Sequence, residues 1–151
     1  MVMQMDYSQS TKIYSGDIAT DAHKVCNEVR NILEMLQVRY SLDTEESFDI
    51  KVILCELMQN SILHGNACDE SKKIRVEIWF KEDNRVLSII VKDQGIGFKP
   101  TKTKHLSLDR DRSSKTVDMD ESGRGLFIVH ELCDCMEFNS TGNAITVMKK
   151  I

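Results

Sequence analysis

The chain has 151 residues, 41% of them hydrophobic and 29% charged, with a net charge of −4 and an isoelectric point of about 5.6. That length suits one compact domain with a real core and is short for two. The acidic balance leaves no electrostatic footprint for direct nucleic-acid binding, and the Lys and Arg residues between Lys99 and Lys115 are broken up by Asp109 and Asp111, as in a solvated loop.

Residues 1–9 read as frayed, and their M-V-M-Q-M-D start has neither the basic region nor the apolar run of a signal or membrane segment. Thr11 to Ile18 reads as a short strand with Ile13 and Tyr14 half-buried. Ala19 to Tyr40 has helical spacing through Val25, Val29, Ile32, Leu33 and Leu36. Asp43 with Glu46 three residues on forms a capping-box pattern, which starts a second helix running to about His64, with Gly65 and Asn66 as its stop. Glu56 and Asn60 stand at i and i+4, on one face of that helix. Ile53, Leu54, Leu57, Met58 and Ile62 around them are apolar, which puts the pair at a core margin. A carboxylate and an amide held there can grip a metal ion and activate a hydroxyl or a water. Alone, the pattern fits an ordinary surface glutamate equally well.

From Lys73 the period changes to two: Ile74, Val76, Ile78 and Phe80 alternate with Arg75, Glu77 and Trp79. Glu82-Asp83-Asn84 is the turn of a hairpin, and Val86 to Val91 is its more apolar, more central partner. Trp79 sits on the polar phase of its strand, a place for a homodimer or partner surface. Asp93-Gln94-Gly95-Ile96-Gly97-Phe98 follows, then residues 99–121 with the single proline, irregular and of functional length. Gly123-Arg124-Gly125 opens a helix through Leu126, Phe127, Val129, His130 and Leu132. Met136 to Ser140 and Ala144 to Lys150 make a closing hairpin around Thr141-Gly142-Asn143. This order predicts a two-layer α/β sandwich: a mixed, mostly antiparallel sheet with three main helices on one face.

The five cysteines are odd in number and form no C-x-x-C pair, which fits reduced thiols in the cytoplasm. His130, Cys133 and Cys135 match no zinc spacing, and Asp134 stands where H-E-x-x-H would need its second histidine.

Glycines at D-x-G-x-G let the backbone turn tightly and approach a flat or anionic ligand. An aspartate just before them, at a strand end, can accept a hydrogen bond from an exocyclic amine. Glycines at a helix start leave amides and the positive dipole end facing outward, where phosphates bind. Each motif alone also fits a plain structural turn. Taken in order, E-x-x-x-N with H-G on a helix, D-x-G-x-G-F after a strand, and G-R-G-L-F-I-V at a helix start resemble the three sequence boxes of the GHKL (Bergerat-fold) ATPases. Within them the chain looks most like the bacterial anti-sigma-factor serine/threonine kinases, over nearly its whole length.

The resemblance implies one ATP-binding domain over residues 1–151, with residues 99–122 as the lid over the nucleotide. It makes Asn60 the Mg²⁺ ligand and Glu56 the general base. Asp93 would receive the adenine amino group, Gly95 and Gly97 would give the base room, and Gly123, Arg124 and Gly125 would cradle the phosphates. ATP and Mg²⁺ are the implied cofactors, and the implied partners are a sigma factor and an anti-anti-sigma antagonist protein, with the chain a homodimer. Ser61 departs from the family's usual alanine but stays small, and the Lys- and Ser-rich lid lacks the usual extra glycines. Two rival readings remain: a nucleotide-gated binding module without kinase activity, and the catalytic module of a histidine-kinase system. Against the latter, no helix ahead of the ATP motifs carries a phospho-acceptor histidine.

Overall fold

The computed structural model describes residues 9–96 and 121–151. The expected frayed start, all but its last residue, lies outside these, as do Gly97, Phe98 and residues 99–120 of the expected lid. In chain order the elements are β1 (Ser10–Ala19), α1 (Ala22–Tyr40), α2 (Thr44–Asn60), a π-helical turn (Ser61–Gly65), β2 (Lys73–Lys81), β3 (Val86–Lys92), α3 (Glu121–Leu132), β4 (Cys135–Phe138) and β5 (Ala144–Lys150). The strands form one five-stranded sheet in the order β1-β2-β3-β5-β4. The sheet expected to be mixed and mostly antiparallel is antiparallel at every pairing described.

Alternation decides which face is covered. Ile74, Val76, Ile78 and Phe80 of β2, Leu87, Ile89 and Val91 of β3, and Ile145 and Val147 of β5 join one buried cluster with Val29, Ile32 and Leu36 of α1, Ile50, Leu54 and Met58 of α2, and Leu126 and Val129 of α3. The sandwich is therefore helices on one sheet face, with apolar burial as its main driving force. On the other face, cross-strand register aligns Lys12, Trp79, Ser88, Met148 and Cys135 in one row.

The helix ends follow their caps. β1 continues to Ala19, so α1 begins at Ala22, three residues later than its apolar spacing suggests. The Asp21 carboxylate accepts from the amides of His23 at 2.8 Å and Lys24 at 3.1 Å. The capping box at α2 is formed in full: Glu46 N–H donates to Asp43 Oδ1 at 2.7 Å, and Asp43 N–H donates to Glu46 Oε1 at 3.1 Å.

The helical path after α2 does reach Gly65, but it widens. Asn66 N–H donates to the Ser61 carbonyl at 2.7 Å, and Cys68 N–H to that of Ile62 at 2.7 Å. Neither Gly65 nor Asn66 supplies the left-handed stop. That conformation falls on Ala67 (φ 50°) and Cys68 (φ 61°).

One ion pair ties α2, α3 and β5 together. Lys149 Nζ donates to the Leu132 carbonyl at 2.9 Å, at the C-terminal end of α3, and lies 3.4 Å from Asp49 Oδ2 of α2. Both side chains are largely buried, with 12% and 17% of their surface exposed. A cation there also complements the helix dipole. Lys149→Met leaves the aspartate without its partner, and we expect a loss of roughly 2 kcal/mol in urea unfolding. The double variant with Asp49→Asn should recover part of it, and equal losses in both would contradict the pairing.

Candidate active site

The two polar residues of α2 meet α3 across a cleft of about 200 Å³, lined by Glu56, Gln59, Asn60, Leu63, His64, Arg124, Gly125 and Ile128. A Cβ built on Gly125 would lie 2.5 Å from Glu56 Oε2. With glycine there, α3 passes close to that carboxylate without turning it aside. Asn60 carries the most informative atom in the cleft: its Oδ1 is buried and has no hydrogen-bond partner among the described residues. Leaving an acceptor buried and unpaired costs about 1–3 kcal/mol, so such an atom points to a ligand that completes it.

A hard cation such as Mg²⁺ fits this oxygen. It takes one or two protein oxygens and fills its remaining positions with water and phosphate oxygens. Among the described residues no group of three or more His, Cys, Asp or Glu side chains could hold a metal.

α3 begins at Glu121, two residues before the glycine motif that was expected to open it. Gly123 and Arg124 fall within its first turn, where amides lack acceptors inside the helix, and Gly125 follows directly. Arg124 is exposed at the cleft mouth.

Asp93 and Gly95 do not line this cleft. They pack at the end of the π-helical turn, behind His64. A Cβ on Gly65 would fall on the Asp93 carboxylate, and one on Gly95 would fall on the Gly65 carbonyl oxygen. Asp93 N–H donates to the Asn143 carbonyl at 2.9 Å, and Gly95 N–H donates to Asp93 Oδ1 at 2.9 Å. Asp93 is 6% exposed. Burial raises its pKa, while the hydrogen bond from Gly95 and the charge of Lys72 pull the other way. The result is a nearly buried acceptor held by its own loop.

Two features escaped the sequence reading. His64 was assigned to helix-end structure, yet it lines the cleft; the spacing 56, 60, 64 carried that signal. Asn66, a stop by its sequence context, is fully buried and hydrogen-bonded through both side-chain atoms. Ser61, in place of the alanine usual in the resembling family, is buried beside Asn60. All five cysteines are free, and burial pushes the Cys133 thiol up to about 11. No helix among the described residues is long and apolar enough to cross a membrane.

Comparison with known proteins agrees with this layout. Residues 19–149 match the family model described as histidine kinase-like ATPase domain. The chain is 34% identical over 111 residues to a protein named anti-sigma F factor from Clostridium perfringens strain SM101, covering 70% of this chain and 73% of the relative. It is 33% identical over 112 residues to the anti-sigma F factor of Clostridium novyi, covering 71% and 73%. A protein named serine-protein kinase RsbW, from Oceanobacillus iheyensis, is 26% identical over 112 residues, covering 74% and 70%. With its motifs placed on these elements and the match spanning nearly the whole chain, the protein belongs to the histidine kinase-like ATPase domain family, the GHKL type of ATP-binding fold.

Proposed function

We propose that this chain is an ATP-dependent serine/threonine protein kinase of the partner-switching kind, working in the cytoplasm. In one state it holds a regulatory protein such as a sigma factor. In the other it phosphorylates a hydroxyl of a small antagonist protein. The observation that carries the reading is the cleft itself: a glutamate carboxylate close against the Gly125 backbone, one helical turn from an asparagine oxygen with no partner among the described residues. The anti-sigma and serine-kinase names of the relatives support the choice of partner and acceptor.

In this reading Glu56 takes the proton of the attacking hydroxyl as its oxygen bonds to the γ-phosphorus. The bond to the β–γ bridging oxygen breaks, and ADP leaves. The amides at the start of α3, around Gly123, Arg124 and Gly125, face the phosphates, with the Arg124 guanidinium adding charge. Asp93 accepts from the adenine amino group, and Gly95 and Gly97 leave room for the ring. Asn60 would hold Mg²⁺, which when bound neutralises phosphate charge. Such transfer depends on positioning and charge more than on covalent chemistry.

The test is transfer from γ-labelled ATP, with Mg²⁺, to proteins in a lysate of the source organism. An acid-stable label on a small protein supports the kinase. Acid-labile label would mean a histidine-kinase-like module, and bound ATP without transfer a nucleotide-gated binder.

We also propose a homodimer through the open sheet face, where Trp79 and Met148 flank the buried Ser88 in register. Trp79 is half-buried under Lys12, whose Nζ sits 5.4 Å from the ring centroid, and its indole donates to Glu77 Oε1 at 3.2 Å. Trp79→Ala should raise the dimer dissociation constant at least about tenfold in sedimentation measurements. A mass and affinity unchanged by the substitution would remove the sheet face from the interface.

A further inference from the structure

Four chain segments converge on one buried amide. Asn66 is 0% exposed. Its Nδ2 donates to Thr20 Oγ1 at 2.8 Å and to the Lys73 carbonyl at 3.1 Å, and its Oδ1 accepts from the Gln94 backbone N–H at 2.7 Å. Thr20, just past the end of β1, is 3% exposed, and its hydroxyl donates to the Lys72 carbonyl at 2.7 Å. With its proton committed there, Thr20 can only accept from Asn66. Gln94 is held a second time, because its Oε1 accepts from Lys73 N–H at 2.7 Å.

The donor and acceptor pattern explains the residue type. Asn66 faces a hydroxyl and a carbonyl that need donors, and an N–H that needs an acceptor. A primary amide of this length supplies both, whereas a carboxylate supplies only acceptors. The side-chain polar atoms of Asn66 and Thr20 are all paired, which makes the network rigid and costly to break. Its output falls on Gln94, the residue between Asp93 and Gly95. The Asp93 carboxylate is thereby fixed between the Gly65 backbone and the Gly95 amide.

We propose that Asn66 is a positioning residue: by holding Gln94, it sets the place of the Asp93 carboxylate and with it the selection of an adenine over a 6-oxo purine. This rests on the reading of Asp93 as acceptor for the adenine amine. Asn66 itself touches no substrate. The nearby cleft residues Glu56, Asn60 and Arg124 lie outside this network, so phosphate binding should be largely independent of it.

The test compares ATP with ITP, which carries an oxygen in place of the amine, by calorimetric titration of the parent protein and Asn66→Asp. The parent should prefer ATP by at least about tenfold, and the variant should lose roughly tenfold in ATP affinity with ITP almost unchanged, so that the preference collapses. Hydrogen exchange of the nucleotide-free variant should be faster in the peptide spanning residues 93–95 and unchanged in α1. A folded variant that keeps the parent's preference and exchange would overturn the proposal. If Asn66→Asp does not fold, Thr20→Val carries the test: removing one acceptor of the amide should reduce the preference about threefold, and an unchanged preference overturns the proposal just as well. A parent that binds ATP and ITP equally would sink the role of Asp93. The exchange measurement would then decide separately whether Asn66 holds the loop.

Discussion

Replacing Glu56 by glutamine should abolish most phosphotransfer while leaving ATP bound. General-base catalysis contributes about 10²–10⁴-fold, and an amide of the same shape cannot take the proton. Glutamine keeps the volume and the contact with the Gly125 backbone, so the packing of α2 on α3 should survive. The neighbouring Asn60 oxygen, the expected cation ligand, is untouched. We therefore expect single-turnover transfer from γ-labelled ATP to fall at least about 100-fold, with ATP affinity within about threefold of the parent and an unchanged circular dichroism spectrum. A Glu56→Gln protein that still transfers at the parental rate would remove Glu56 as the base and return the cleft to a binding role. If affinity falls in parallel with transfer, Glu56 serves to shape the site, since a loss confined to the transition state leaves ground-state binding alone.

Much of this arrangement could be read in the chain before its fold was known, because the information was local. The period-two run from Ile74 to Phe80 and the 3.6-period run from Val25 to Leu36 each state which face is buried, and both faces joined the core. The capping box at Asp43 and Glu46 needs only four residues to be recognised, and it formed in full. Glu56 and Asn60 share a helix face by spacing alone. Reading failed where a residue's job depends on a distant segment. Gly65 was assigned the usual helix-stop role, but the left-handed positions are Ala67 and Cys68. Its lack of a side chain is needed because Asp93, 28 residues later, packs against it. At Gly125 the local sequence speaks only of an amide at a helix start, and the room its bare Cα leaves for the Glu56 carboxylate is not visible there. Asn66 has its partners at Thr20, Lys73 and Gln94, and no window of sequence around residue 66 displays them. Helix periodicity shows a surface; it does not show what another element lays on that surface.

The same distinction gives the second large effect. Gly65→Ala puts a methyl group where the Asp93 carboxylate lies. Gly65 does not occupy the left-handed region, so alanine meets no backbone strain there and the whole penalty is steric. Neither neighbour can yield cheaply. Asp93 is held by Asn143 and Gly95, and Gly65 is part of the π-helical turn that Asn66 closes. Overpacking of this kind typically costs about 1–3 kcal/mol, and here it displaces the group expected to receive the adenine. We expect Gly65→Ala to lose about 2–3 kcal/mol in urea unfolding and at least about tenfold in ATP affinity, equivalent to a single lost hydrogen bond to a charged group. Gly16→Ala is the control. Its new methyl would come within 2.6 Å of the Tyr14 hydroxyl, the far end of a side chain that can swing aside at the expense of its 2.8 Å bond to Glu28. That should cost at most about 1.5 kcal/mol, less than the loss at Gly65, and leave ATP binding alone. If the two alanines prove equally mild, Asp93 has freedom that its close packing denies, and the case for a fixed adenine acceptor falls with it. If Gly65→Ala destabilises the fold yet binds ATP as before, the carboxylate is a structural wedge between the π-helical turn and β3, and nucleotide recognition must be sought away from Asp93.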